Sequence, residues 1–515
     1  MSQTSHEFVA ILDFGSQFVQ LIARRVREQN VYCEILSHQT TAEELRSRNV
    51  KGIILSGGPS SVYEEGTPGC DAEILRIGAP VLGICYGMQL GCQHLGGEVS
   101  AAEAREFGRT TCLVDTSSEL FGGMPEELTV WMSHGDHVAS VSSEFKTLAR
   151  TDNAPNAAIK HSDSDFYGVQ FHPEVTHTSR GAEMIRNFLH RICGCSGDWD
   201  MRSYVEQATE EIRQKVGDSG VVCGLSGGVD SSVVAMLLHR ALGERLHCIF
   251  VNNGLLRLNE FEEVSDFFRE SDMNFHPIDA SHQFLDKLKG VTHPEEKRKI
   301  IGHEFIAVFE EEAKRLPNIE WLAQGTLYPD VIESISAKGG PSVTIKTHHN
   351  VGGLPDKLGL KIIEPLRDLF KDECRAMGSE LGLTESIVGR HPFPGPGLAV
   401  RILGEITDER LEILRAADAI FIEEIRKADW YQKIWQAFVV LLPVQTVGVM
   451  GDARTYENVA AIRAVHSTDG MTADWVQLPY DLLGLISNRI INEVRGINRV
   501  CYDVSTKPPS TIEWE

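Results

Sequence analysis

Val221-Val222-Cys223-Gly224-Leu225-Ser226-Gly227-Gly228-Val229-Asp230-Ser231-Ser232 is the stretch that decides the fold. Its first five residues form a short apolar run. A Ser/Gly turn follows, then a helical pattern from Ser231 to Leu242 and a second apolar run from Leu246 to Val251. Strand, loop, helix and strand in that order make a βαβ unit, and so a parallel sheet with helices on its faces. The loop carries its own chemistry. At a strand-to-helix turn the first backbone N–H groups of the helix lack intrahelical partners and point outward, where phosphate oxygens can accept them. Ser226, Ser231 and Ser232 add hydroxyls, and the Asp230 carboxylate suits Mg²⁺ bridging phosphates. The string lacks the Gly-Lys-Ser/Thr of the Walker loop. A bare glycine turn with Ser231 as an ordinary N-cap is the competing reading. The complete string inside a βαβ unit favours phosphate binding.

Upstream, a similar alternation runs from Phe8 to about Ile192. Phe8 to Leu12, Gly52 to Leu55 and Val81 to Ile84 read as buried strands, and Gln17 to Glu28 has helical spacing at Val19, Ile22, Ala23 and Val26. Gly194 to Asp198, small and polar, reads as a linker. Cys85 follows the third apolar run and precedes a helical stretch, Met88 to Leu95, with glycines at 83 and 87. A sharp strand-to-helix turn of this kind raises a nucleophile into the open. The helix N-terminus there lowers a thiol pKa and offers N–H groups to an oxyanion. His172 and Glu174 lie two apart on an apparent strand that Tyr167 to Phe171 leads into, so they share a face, with Glu174 able to orient an imidazole turned to Cys85. A glycine-flanked cysteine alone reads more readily as a structural turn residue. His172-Pro173-Glu174 downstream tips the reading toward chemistry.

The chain's 515 residues exceed one ordinary core. Its 42% hydrophobic and 24% charged content is that of a soluble globular protein. The net charge of −24 argues against a nucleic-acid binder, which shows a basic face. Eleven scattered cysteines do not form a disulfide framework. The first residues lack the pattern of a signal peptide, and the longest apolar run, Ala437 to Leu442, stops at Pro443, far short of the ~20 residues of a spanning helix. A cytoplasmic setting without membrane contact is expected. The fold class is α/β: two doubly wound, mostly parallel α/β domains, 7–196 and 197–390, and a smaller α+β C-terminal domain, 391–515. The last boundary rests on His391-Pro392-Phe393-Pro394-Gly395-Pro396-Gly397, too rich in Pro and Gly for a regular element.

Gly57-Gly58-Pro59, Cys85-Tyr86-Gly87-Met88-Gln89, Ser133-His134-Gly135 and His172-Pro173-Glu174 resemble the four stations of class I glutamine amidotransferases. The resemblance implies that Cys85 attacks the glutamine carboxamide, that His172 serves as acid and base, and that Glu174 steadies it. Gly58 and Tyr86 would donate backbone N–H groups to the oxyanion, and Gln89, Ser133 and His134 would hold the glutamine. The 226–232 loop resembles that of N-type ATP pyrophosphatases. Supporting strings match at Leu322 to Thr326, Tyr328 to Ser334, Ile345 to Asn350 and Phe370 to Glu373. This implies ATP as co-substrate, held by Ser226, Gly227, Gly228, Val229, Asp230, Ser231, Ser232, Gly325 and Lys371, with Mg²⁺ on Asp230. Lys346 and Lys371 would neutralise departing pyrophosphate. One position departs from the family: Asn252 stands where an Asp is usual.

His391 to Leu398 and the closing Lys507-Pro508-Pro509-Ser510-Thr511-Ile512-Glu513-Trp514-Glu515 have no structural necessity, and they resemble the glutamine-hydrolysing GMP synthetases. That resemblance covers essentially the whole chain. It implies that the XMP 2-oxygen is adenylated by ATP, with pyrophosphate released, and that ammonia from glutamine then displaces AMP to give GMP. It places Arg298, Arg401, Gln436, Lys507 and Glu513 near XMP, and implies a homodimer built on the third domain. An alternative of the same general plan is another glutamine-dependent ligase, such as an NAD synthetase, which would lack the C-terminal strings.

Overall fold

The computed structural model describes residues 6–336, 359–450, 453–467 and 472–515, and the expected Ile345 to Asn350 station with Lys346 lies outside them. The chain forms two compact units, Met1–Tyr204 and Val205–Glu515.

In the first unit β1 (Phe8–Asp13), β2 (Tyr32–Ser37), β3 (Gly52–Leu55), β4 (Val81–Ile84), β5 (Glu98–Val114), β6 (Glu127–Ser140), β7 (Phe145–Arg150), β8 (Ala158–His161) and β9 (Phe166–Val169) make one sheet, ordered β2-β1-β3-β4-β9-β8-β7-β5-β6. From β2 to β9 neighbours run parallel, and beyond β9 every pairing is antiparallel. The parallel half is legible because both of its faces are covered: β3 and β4 are buried at every position. The antiparallel half is the part the sequence reading missed. β6 alternates exposed and buried positions, so it offers no continuous apolar run. The helix Val19–Arg27 buries Val19, Ile22, Ala23 and Val26, as its spacing predicts.

The expected linker is tied down. The Ser196 amide and hydroxyl donate to Glu7 Oε2, at 2.6 and 2.8 Å, and the Glu7 amide donates to Asp198. Trp199 is buried beneath the Arg27 guanidinium and against Tyr32. Segment composition alone cannot reveal such tethers, which depend on Glu7 lying 189 residues away.

In the second unit β10 (Gly220–Leu225), β11 (Leu246–Asn252), β12 (Asn274–Asp279), β13 (Ile319–Ala323) and β14 (Lys361–Ile363) form an all-parallel sheet ordered β12-β11-β10-β13-β14. β10 is central, and its carboxyl end delivers the 226–228 loop. That is where open α/β sheets bind ligands. β15 (Gln436–Met450), β16 (Ala453–His466), β17 (Asp474–Trp475) and β18 (Ile497–Tyr502) form a second, mainly antiparallel sheet packed on the helices Asp408–Lys427 and Tyr480–Glu493. The expected boundary at 390/391 falls inside this unit. Val222, Ile249 and Leu322 of the first sheet share one core with Phe421, Leu441 and Ile462. His391 to Leu398 threads the seam. Gly397 adopts φ +61°, and a Cβ there would stand 2.4 Å from the Leu255 carbonyl. No described helix is long and apolar enough to cross a membrane.

Candidate active sites

Cys85 caps the helix Tyr86–His94 with φ +50° and ψ −107°. A non-glycine residue in that region is strained, and such strain collects at working sites. Its flanking glycines are required by packing: a Cβ on Gly83 would stand 2.6 Å from the Gly87 backbone, and one on Gly87 would stand 2.3 Å from the Leu55 carbonyl. The Gly57-Gly58 turn lies against the same place. A Cβ on Gly57 would meet His172 Cε1 at 3.3 Å and Cys85 Cβ at 3.8 Å, and one on Gly58 would meet the Phe14 carbonyl at 2.9 Å. Tyr86 is buried and donates its hydroxyl to the Pro68 carbonyl at 2.6 Å.

His172 hydrogen-bonds Glu174 Oε1 through Nδ1 at 2.8 Å, and Glu174 is fully buried. Strand alternation, which the sequence led one to expect, does not set the pair. β9 ends at Val169, and His172 and Glu174 sit in the turns after it, held because the His172 amide donates to Trp131 O and its carbonyl accepts from Thr178 Oγ1. Burial opposes charging of His172. Hydrogen bonds and charge from Cys85 and Glu174 outweigh it, and the imidazole is pushed up to about 10. An imidazolium therefore faces the sulfur at neutral pH.

Ser133 and His134 reach the site in different ways. The Ser133 carbonyl lies 3.9 Å from Cys85 Sγ. The His134 side chain turns away into a buried contact with Glu106 at 3.2 Å, and burial pulls its pKa below the ordinary value. Gln89 is buried and donates to Asp136 O at 2.9 Å and to Gln170 Oε1 at 3.2 Å. Its donors are thus spent within the protein, which leaves only its carbonyl oxygen for a glutamine. Gln170, which the sequence reading passed over, is fully buried and donates to Cys85 Sγ at 3.6 Å. It stands two residues before His172, as Glu174 stands two after, and that symmetry was the available signal.

The phosphate loop is organised around Gly227, at φ +71°. The helix begins at Val229, so Asp230 lies in its first turn, and Gly228 is the cap. Ser231 is therefore not the N-cap of the simpler reading. Its Oγ accepts from the Ser226 amide at 3.1 Å and donates to the Gly228 carbonyl. Ser232 is buried and donates to the same carbonyl. Lys371, first residue of its helix, meets both Asp230 oxygens at 2.5 Å, and a Cβ on Gly325 would stand 3.5 Å from Asp230 Cβ. Arg390 donates to the Gly227 carbonyl at 2.6 Å and pairs with buried Glu260, fixing the loop from behind. Asn252, at the departing position, accepts from the Gly254 amide at 3.0 Å and closes a turn.

Three of the expected XMP residues form one network. Glu513 takes two hydrogen bonds from Arg401, at 3.1 and 2.9 Å, and one from Gln436 at 2.7 Å. Arg401 is fully buried, stacked on Phe438 and Phe393, so here it fixes Glu513 rather than presenting itself to a phosphate. Arg298 donates to the backbone oxygen of Glu515, and Lys297 reaches the Glu515 side chain at 2.5 Å. Lys507 sits apart from that network, joined through its backbone to Ala473. Buried Arg463, unmarked by any motif, holds the carbonyls of Ser505, Thr511 and Ile512 and the Asp503 carboxylate.

Family models match along the chain: "Glutamine amidotransferase class-I" at residues 10–192, "NAD synthase" at 201–297 and "GMP synthase C terminal domain" at 423–514. A GMP synthase (glutamine-hydrolysing) of Carboxydothermus hydrogenoformans is 58% identical over 98% of this chain and 99% of its own length. The chain belongs to the glutamine-hydrolysing GMP synthase family. A Rhizobium etli protein of the same name is 58% identical over 100% of both chains, and one from an Azoarcus species is 57% identical over 99% and 100%. The alternative of an NAD synthetase fails on the last third, where the GMP synthase C-terminal model matches. The NAD synthase match is confined to the segment around the phosphate loop.

Proposed function

We propose that this chain carries out its family's reaction with Cys85, His172 and Glu174 as the glutaminase and the 226–232 loop as the ATP site. The reaction is glutamine-dependent GMP synthesis, with glutamine, ATP and XMP as substrates. The observation that carries the assignment is His172 held between a buried carboxylate and a strained cysteine at a helix N-terminus. The sulfur attacks the carboxamide carbon of glutamine. The developing oxyanion sits by the backbone N–H groups of Gly58 and Tyr86, and His172 gives its proton to departing ammonia. The same imidazole then takes a proton from the water that cleaves the thioester.

In the second unit the XMP 2-oxygen attacks the α-phosphorus of ATP and pyrophosphate leaves. Ammonia then attacks carbon 2, and AMP leaves as GMP forms. The loop N–H groups cradle the phosphates, and Lys371 is placed to exchange Asp230 for a phosphate oxygen. Mg²⁺ fits this donor set. Asp230 is one partly exposed carboxylate, and among the described residues no cluster of three acidic, His or Cys ligands forms a cage. Mg²⁺ is commonly held by one or two carboxylates plus substrate phosphates. When bound, it would neutralise charge on the leaving pyrophosphate. Residues 391–515 then form the XMP-binding and dimerisation part, 197–390 the pyrophosphatase part and 7–196 the amidotransferase part.

The test is the nucleotide products from ATP, Mg²⁺, XMP and glutamine. AMP, pyrophosphate and GMP together are expected. ADP and phosphate would mean that the loop has been misread.

A further inference from the structure

We propose that Gln170 is a catalytic residue of the glutaminase, donating a hydrogen bond to Cys85 Sγ that favours its thiolate. The inference rests on the reading of Cys85 as nucleophile, and adds to it a group that the Cys-His-Glu set does not include.

The Asp136 carbonyl can only accept, so Gln89 must turn its NH₂ toward it. The same NH₂ also donates to Gln170, so Gln170 must present its carbonyl oxygen to Gln89. That leaves the Gln170 NH₂ facing Cys85 Sγ, at 3.6 Å. An amide flip is therefore closed off from the far end of the chain. The chain is anchored beyond Asp136 as well. The Asp136 carboxylate accepts from Ser61 Oγ at 2.5 Å and from Tyr63 Oη at 2.6 Å. Gln170 and Gln89 are buried, at 0% and 3% exposure, so water does not compete for these bonds.

The sulfur is faced by the Gln170 NH₂, His172 and the Ser133 carbonyl. Behind His172 lies the Glu174 carboxylate. Because His172 Nδ1 is engaged by Glu174, the imidazole meets the sulfur through its other nitrogen. Since the imidazolium already carries a proton on that nitrogen, on activation the S–H proton leaves to solvent, and the electron pair stays on sulfur beside the imidazolium. A neutral thiol gains little from a donated N–H, whereas a thiolate gains a charge-assisted bond. A donor of this kind lowers the pH at which the nucleophile forms.

The experiment compares Gln170→Met, which removes the donor at similar volume, with Gln170→Glu, which replaces it by an acceptor and a negative charge. Iodoacetamide modification of Cys85 is followed against pH by peptide mass, alongside glutamine kinetics and the melting temperature. The midpoint of Cys85 modification should rise by about one pH unit in the Met variant and further in the Glu variant. The glutaminase kcat should fall about tenfold in the Met variant, the factor that a shift of about one pH unit carries below the midpoint, and further in the Glu variant, with KM for glutamine little changed. If the Glu variant does not fold, the neutral Met variant decides alone. An unmoved midpoint in a folded Met variant overturns the proposal. Cys85→Ala separates the underlying reading: if that variant still hydrolyses glutamine, the nucleophile assignment fails, whatever Gln170 does.

Discussion

Replacing Cys85 by Ala removes a sulfur and leaves the glycine-lined turn intact, because Gly83 and Gly87 make their close approaches to backbone atoms of other residues. The variant should lose glutamine-dependent GMP synthesis, by at least about a thousandfold on the scale of a lost nucleophile. It should still make GMP from high concentrations of ammonium salt, since the phosphate loop belongs to the other unit. Loss of both activities would contradict two separate chemistries. A second residue, His391, tests the fold rather than the chemistry. Its ring stacks on Tyr431 at 3.9 Å, accepts from the Ala437 amide through Nδ1 and donates to the Tyr431 carbonyl through Nε2. Both nitrogens are thus committed as a neutral ring, and burial pulls its pKa down to about 4 from 6.5. Between those values the unfolded chain binds the proton and the folded chain does not. Stability should therefore be fully present above about pH 6.5, fall as pH drops toward 4 by up to about 1.4 kcal/mol per unit, and change no further from this group below that. Urea unfolding of the parent and of His391→Gln across this range checks it: the variant should lose that part of the slope. The site chemistry was legible at this scale because Cys85, His172 and Asp230 sit in strings with chemical content. Lys297 and Arg463 were not, since no motif marks them and their partners lie 218 and 49 residues away, and Gln170 offered only its place two residues before His172.

At the scale of elements, what the sequence revealed follows burial. Strands covered on both faces announce themselves as apolar runs, and β1, β3, β4, β10 and β11 were read that way. Strands with one wet face do not, and β6 and β7 went unseen for that reason, while β8, covered but only four residues long, is too short to stand out. The closing tail is a different case, an irregular segment held by charge. Buried Arg463 grips two of its carbonyls, those of Thr511 and Ile512, Arg401 and Gln436 grip Glu513, and Lys297 grips Glu515. Removing residues 507–515 would leave Arg401 and Lys297 as buried cations without their carboxylates, each costing about 3–5 kcal/mol. Deletion should thus lower the melting temperature of the second unit as well as abolish XMP use. Glu513→Gln is the milder probe: it keeps the shape but weakens the Arg401 pairing, and the KM for XMP should rise with the glutaminase unaffected. An unchanged melting temperature on deletion would mean that the tail is not part of the packed structure.

At the scale of the whole molecule, the sheet of β15 to β18 carries an apolar stripe that none of the described residues covers. Val447 and Val449 alternate onto one face of β15, and Tyr456 pairs across from Val447 in the register. They are 53%, 73% and 62% exposed. A contiguous patch of this kind on a protein carrying a net charge of −24 marks a surface meant for contact. A second copy of the chain is the occupant that the dimer proposed for residues 391–515 would set there. In a two-fold interface one substitution is felt twice, since the same patch supplies both sides. Val449→Glu would set two carboxylates into the apolar contact, where like charges brought together cost several kcal/mol. The change lies at an exposed position, so folding of the single chain should survive it. Sedimentation equilibrium should then report twice the chain mass for the parent and a single chain mass for the variant at the same concentration. A parent that sediments as one chain, or a variant that stays paired, would move the interface off this stripe and leave Val447, Val449 and Tyr456 without a partner.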